Sequence, residues 1–216
     1  MLTKKQVEEL FITFHHLNPE PKGELNSVND YTFLVAVALS AQATDIGVNK
    51  ATGPLFKKVT TPQQMLDLGE EGLIEYVKSI GLYKTKAKNV IAAAKMLVEN
   101  HGGIVPNDQT ALEALPGVGR KTANVVRNIA FGEPTLAVDT HILRVANRMG
   151  ICKAKTPDQM MDKLPKKIPP VFLKDAHHWL ILHGRYICKA RKPDCANCPV
   201  YNLCQFKEKI NPTSKN

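Results

Sequence analysis

Acidic residues are in short supply: 20 Asp and Glu face 29 Lys and Arg, a formal charge of +9. A surplus of that size favours a polyanionic partner, nucleic acid first and an anionic membrane second. Long apolar runs are also missing. None approaches the roughly 18 residues that a spanning helix needs, and the opening MLTKKQVEELF has Lys and Glu where a signal peptide would carry its apolar core. The chain therefore reads as intracellular. Cysteine is scarce and odd in number: four of the 5 fall between Cys188 and Cys204, and Cys152 stands apart. That arrangement excludes a secreted disulfide framework, and clustered thiols in a reducing compartment suggest a metal. Asn-Gly and Asp-Gly dipeptides are absent, alternating patterns are few, and no repeat appears at solenoid periods. A hydrophobic share of 44% with 23% charged residues excludes a disordered chain.

What is present is helical periodicity. Ala87, Val90, Ile91, Ala94, Leu97 and Val98 recur at the spacing of one helix face, which predicts an amphipathic helix over 84–99 with lysines on its other side. Thr61-Pro62 and Thr156-Pro157 read as an N-cap followed by proline at the first helical position. Gly81, Gly102-Gly103 and Gly150 stand where helices should stop. This punctuation predicts an all-α fold of about ten helices, roughly 8 to 18 residues each, with a loose tail NPTSKN after Ile210.

The segment LPGVGRKTANVV, residues 115–126, carries the most information. Pro116 fixes one φ, and Gly117 and Gly119 are expected at positive φ in a tight turn around Val118. A helix with Ala123, Val126, Ile129 and Ala130 on its inner face should follow, and a helix from Asp108 to Leu115 should precede it. Such a helix-hairpin-helix exposes backbone N–H groups at a helix start, where Arg120 and Lys121 add charge, so it suits a phosphate; the plain alternative is a helix connection. Read without further context, Lys121 is a phosphate contact, Asp139 an N-cap, Leu82 a core residue and Gln42 a surface loop residue. His141 and Arg144 read as structural or phosphate-binding, Trp179 as core, and Cys152 as an ordinary helical-region thiol.

Cys188, Cys195, Cys198 and Cys204 have the spacing C-x6-C-x2-C-x5-C. Four thiols so close, one pair as C-x-x-C, make a metal site, but the spacing alone accepts structural zinc or an iron-sulfur cubane equally. Lys189, Arg191 and Lys192 would sit on the short loop that such a site closes, pre-organised for phosphates. The carboxylate cluster of a metal-dependent phosphodiesterase is not recognisable.

LSAQATD (39–45), IGLYKTKA (80–87), LPGVGRKTAN (115–124), VDTHILRVANR (138–148) and the Cys cluster together resemble, in order, the helix-hairpin-helix DNA glycosylases, specifically the endonuclease III branch. The resemblance implies two helical lobes: a six-helix barrel over 23–133, and a four-helix lobe from 1–22 plus 134–216 closed by an iron-sulfur loop, with DNA between them. It implies that Lys121 is the amine that attacks the sugar and that Asp139 is the catalytic carboxylate. Gln42 and Leu82 would fill the gap left by an extruded nucleotide. The four cysteines would hold a 4Fe-4S cluster. The implied substrate is double-stranded DNA with oxidised or ring-damaged pyrimidines or abasic sites, handled by a monomer away from membranes, in the cytoplasm or nucleoid if bacterial. Two other readings are a monofunctional mismatch glycosylase and a non-catalytic helix-hairpin-helix module. Lys121 and the chain's end soon after Cys204 argue against the first. The second would need neither Lys121 nor Asp139.

Overall fold

Polar side chains at helix starts set most of the element boundaries. In the computed structural model, which describes residues 1–210, Thr3, Asn29, Thr44, Thr61, Asp108, Asp139 and Thr156 each accept a backbone N–H of the helix that follows. Each satisfies one of the donors a helix N-terminus leaves open. The expectation of a loose tail falls on 211–216, outside the described residues. The helices are α1 (Lys4–Leu17), α2 (Asp30–Leu39), α3 (Asp45–Leu55), α4 (Pro62–Val77), α5 (Tyr83–His101), α6 (Gln109–Ala114), α7 (Arg120–Phe131), α8 (Thr140–Met149), α9 (Pro157–Lys163) and α10 (Pro170–Tyr186). A 3-10 turn spans Pro165–Lys167, and the described residues contain no strand.

The chain divides into two compact units, one of Glu24–Glu133 and one of Met1–Gly23 with Pro134–Asn216. The contiguous unit holds α2 to α7. Its centre is α2, whose Tyr31 to Val37 and Leu39 are all buried, so this helix is apolar on every side. It packs on α7, α3 and α5, with α4 against α3 and α5 and α6 against α7, and Leu55, Met65, Leu73, Ala87, Val90, Leu97, Leu112 and Val126 of these helices are buried. Helix α4 bends at Gly69, whose φ is 72°.

The discontinuous unit holds α1, α8, α9 and α10. Leu10, Phe11 and Phe14 of α1 pack with Ile142, Val145 and Met149 of α8 and with Trp179 and Leu180 of α10 in one core. Phe11 stacks on Phe172 at 6.1 Å, and Trp179, 4% exposed, donates its indole N–H to the Asn18 carbonyl at 2.8 Å. Gly184 lets α10 approach α8: a Cβ there would lie 3.0 Å from His141 Cβ and 3.1 Å from Val145 Cγ2.

Several sequence expectations are corrected. Helix lengths run from 6 residues in α6 to 19 in α5, outside the expected span, because packing stabilises short helices that propensity would not. Gly81 ends no helix; α4 closes at Lys78 and Gly81 precedes the start of α5. Not every lysine of α5 is solvated: Lys86 is buried, its Nζ has no hydrogen-bond partner, and burial holds its pKa below the ordinary value. On α7, Ile129 faces outward, 37% exposed, and the inner positions are Ala123, Val125, Val126 and Asn128. Leu82 is no core residue, being 61% exposed.

Candidate nucleic-acid interface and cluster site

In the contiguous unit, Leu115 to Gly119 form the turn between α6 and α7. Leu115 and Val118 plug it into the core, and the Val118 N–H donates to the Leu115 carbonyl at 3.0 Å. Val118 thus anchors the turn, while Gly117 and Gly119 form its exposed rim. Gly117 has φ 80°, and a Cβ on it would fall 3.0 Å from Asn89 Cβ and 3.1 Å from its Nδ2. Gly119, expected at positive φ, instead has φ −95° and ψ 177°; it serves as the N-cap of α7 and has no side chain to cap it. The first amides of α7 therefore point outward with the positive end of the helix dipole, beside exposed Arg120 and Lys121. Replacing Gly117 by Ala adds about 1 to 2 kcal/mol of left-handed strain and presses on Asn89. We expect roughly tenfold weaker binding to a duplex with an abasic analogue. Fluorescence anisotropy checks it, and unaltered affinity would refute the phosphate-cradle role.

Positive φ at residues other than glycine occurs, among the described residues, at Gln42 (55°), Leu82 (59°) and Lys192 (48°). Each such conformation costs on the order of 1 kcal/mol and persists only where its surroundings enforce it. Gln42 sits exposed in the turn after α2, where the Ala43 N–H meets the Ser40 carbonyl at 3.0 Å. Leu82 is the N-cap of α5, has no polar group to cap with, and presents its isobutyl group to solvent. Both are tips held in a fixed pose.

In the discontinuous unit, Asp139 is half-buried at the start of α8 and accepts the Ile142 N–H at 2.8 Å. One carboxylate oxygen is thereby committed to capping, and the charge is held in one orientation. Two arginines one turn apart on α8 tie the cysteine segment down. Arg144 donates to the carbonyls of Cys188 at 3.0 Å and Gly184 at 2.7 Å, and meets His141 Nδ1 at 3.2 Å. These bonds give Arg144 a structural role. Arg148 donates to the carbonyls of Lys189 at 2.7 Å and Ala190 at 3.0 Å, approaches Cys188 Sγ at 3.7 Å, and lies 4.6 Å from the centre of the Phe206 ring. Sequence reasoning passed over Arg148; its four-residue spacing from Arg144 was the available signal. The loop so held exposes Lys189, Arg191 and Lys192.

Cys188, Cys195, Cys198 and Cys204 line one cavity with Met149, His183, Ile187 and Tyr201. No disulfide joins them. Burial pushes the Cys198 thiol up to about 11 and raises that of Cys204, so ligation there must displace protons. Burial likewise pushes His183 down to about 4, and its neutral Nε2 lies 3.8 Å from Cys198 Sγ. Four sulfurs around a shared apolar cavity suit a thiolate-bound metal centre, and the donor set is the one an iron-sulfur cluster takes. Among the described residues no helix is long and apolar enough to cross a membrane.

Residues 35–170 match the HhH-GPD superfamily of base excision DNA repair proteins, and residues 188–204 match the iron-sulfur binding domain of endonuclease III. The chain is 58% identical over 200 residues to the endonuclease III of Rickettsia conorii, covering 93% of this chain and 95% of that protein. To that of Escherichia coli K12 it is 53% identical over 210 residues, covering 97% and 100%. Among solved structures it resembles a trapped endonuclease III–DNA covalent intermediate, an estranged-adenine complex. The TM-score is 0.88 at 43% identity, covering 95% of this chain and 97% of that one.

Proposed function

This chain belongs to the endonuclease III branch of the helix-hairpin-helix superfamily of base excision DNA repair proteins, and we propose that it is a bifunctional DNA glycosylase and abasic-site lyase that removes oxidised or ring-damaged pyrimidines from duplex DNA. The observation that carries this reading is an exposed lysine in the first turn of α7, in a chain similar over nearly its whole length to a protein trapped covalently on DNA. The reading places the protein with DNA inside the cell.

In this reading Lys121 Nζ attacks C1′ of the damaged nucleotide's sugar. The C1′–N bond breaks, its electron pair leaves with the base, and the base takes up a proton. The Asp139 carboxylate offsets the positive charge that develops on the sugar. Ring opening leaves a Schiff base between Nζ and C1′. Loss of a C2′ proton then expels the 3′ phosphate by β-elimination, and water releases the lysine. No phosphodiester is hydrolysed. Gly117, Gly119 and Arg120 hold backbone phosphates, while Gln42 and Leu82 occupy the space that the extruded nucleotide leaves.

The protein carries a 4Fe-4S cluster. We infer Cys188, Cys195, Cys198 and Cys204 as its ligands, on the donor set and the shared cavity. Its contribution is structural: it closes the loop that presents Lys189, Arg191 and Lys192.

Sodium borohydride trapping on a duplex with a single thymine glycol tests the whole reading. We expect a covalent adduct with borohydride present and a β-elimination product without it. An adduct on a pre-formed abasic site alone would keep the lyase and discard the substrate assignment. No adduct on either would leave a binding module.

A further inference from the structure

The first half of α10 buries two adjacent histidines, His177 at 6% and His178 at 8% exposure, with their rings edge to face at 5.5 Å. They face different neighbours, as consecutive helical residues must. His177 Nδ1 lies 3.0 Å from the Ala137 carbonyl. A carbonyl can only accept, so Nδ1 carries the proton, and the bond pins the buried segment Leu136–Val138 that runs into Asp139. His178 is different: both its nitrogens are buried and neither has a hydrogen-bond partner.

Nearly all buried polar atoms in folded proteins are paired, so a ring with both nitrogens unmet requires a reason. Gly23 is the neighbour at one edge of the ring: a Cβ there would stand 3.4 Å from His178 Nε2, and glycine itself offers that nitrogen no side chain. Gly23 is also the last residue before the chain leaves this unit, and Pro134 is where it returns. His178 lies beside the first crossing, and His177 grips the stretch just after the second. The unmet nitrogens therefore lie beside the first crossing, and the adjacent ring holds the segment that runs into Asp139. Burial also lowers the pKa of His178, opposed by Asp175, and favours the neutral ring, with one donor and one acceptor.

We propose that His178 hydrogen-bonds the imide edge of the extruded pyrimidine and so holds the base for excision; this rests on the glycosylase reading above. Oxidation or saturation of the 5,6 bond alters a pyrimidine's shape and stacking but leaves O2, N3–H and O4 of a thymine derivative in place. A neutral imidazole can donate to either carbonyl or accept from N3–H. It therefore recognises what these lesions share and has no need of what distinguishes them.

A base contact matters only while a base is present, and this separates the proposal from a structural role. The experiment uses the full-length, cluster-loaded protein in single turnover. One duplex carries thymine glycol and the other a pre-formed abasic site. His178→Leu is expected to slow base excision by about tenfold or more, while β-elimination at the abasic site stays within about twofold. His178→Gln, which keeps a polar group, should recover most of the excision rate. Should the leucine variant lose its cluster absorbance, His178→Met provides a second apolar replacement with less branching. Equal losses on both duplexes would make His178 a structural residue and overturn the proposal, as would unchanged excision in every variant. A wild-type protein that excises no base would instead sink the glycosylase reading, and His178's role with it.

Discussion

Lys121→Ala is expected to abolish the borohydride-trapped adduct and to slow cleavage at an abasic site by about a thousandfold or more, while affinity for an uncleavable abasic analogue changes less than about threefold. The two readouts separate because of where the side chain sits. Lys121 is exposed at the second position of α7 and buries nothing, so its truncation leaves the fold and the uncapped amides of that turn in place. Parallel loss of cleavage and affinity would identify a phosphate-binding lysine. Lys121→Arg distinguishes the same alternatives from the other side: a guanidinium keeps the charge but cannot form the Schiff base. Asp139→Asn is the companion variant. An amide oxygen can still accept the Ile142 N–H, so the cap persists while the charge is lost. Turnover should fall strongly with little change in thermal stability, and unchanged turnover would remove Asp139 from the mechanism.

Cys198→Ala should have the second large effect, and it should be confined to one unit. Beyond Tyr186 the described chain has no helix; turns and the arginine bonds from α8 are its main regular supports. Val200 is the most buried side chain of this segment. So little burial cannot organise more than twenty residues, and the metal-thiolate bonds must do most of that work. The variant should lose the absorbance at about 400 nm and most of roughly four irons per chain. Limited proteolysis should then cut after α10 while α2 to α7 remain intact. Lys189, Arg191 and Lys192 would no longer be held in place, so the slope of log affinity against log salt should fall by about two to three. An unchanged slope would show that these cations touch no phosphate.

Much of this was legible in the sequence where local chemistry decides the outcome. Thr61-Pro62 and Thr156-Pro157 start helices because the cap and the proline act within one turn of chain, and Gly102 and Gly150 end helices in the left-handed conformation expected of them. Where the expectations failed, the deciding contacts were distant. Ile129 fits the inner face of α7 on spacing, yet Asn128 is buried instead, where its amide donates to the Glu133 carbonyl at 3.0 Å. Lys86 is a charged residue on a helix rich in lysines, and nothing in α5 alone marks it as the buried one. Gly119 needed no positive φ because Gly117 already makes the reversal. The pairing of Arg148 with the carbonyls of Lys189 and Ala190 joins positions some forty residues apart. His178 is invisible in the sequence for a related reason: an unmet nitrogen becomes evident only once every neighbour is known.

The discontinuous unit has a consequence for the order in which the chain can fold as it is synthesised. Glu24–Glu133 is contiguous, so α2 to α7 can assemble as soon as they leave the ribosome. Helix α1 emerges first, but the partners of Phe11, namely Phe172 and Trp179, come about 160 residues later. At typical elongation rates that interval is roughly ten to thirty seconds. Until α8 and then α10 follow, Leu10, Phe11 and Phe14 lack their long-range partners and form an exposed apolar stripe on the nascent chain. Chaperone engagement and aggregation during synthesis should therefore begin at the first helix made, which is among the last to find its place.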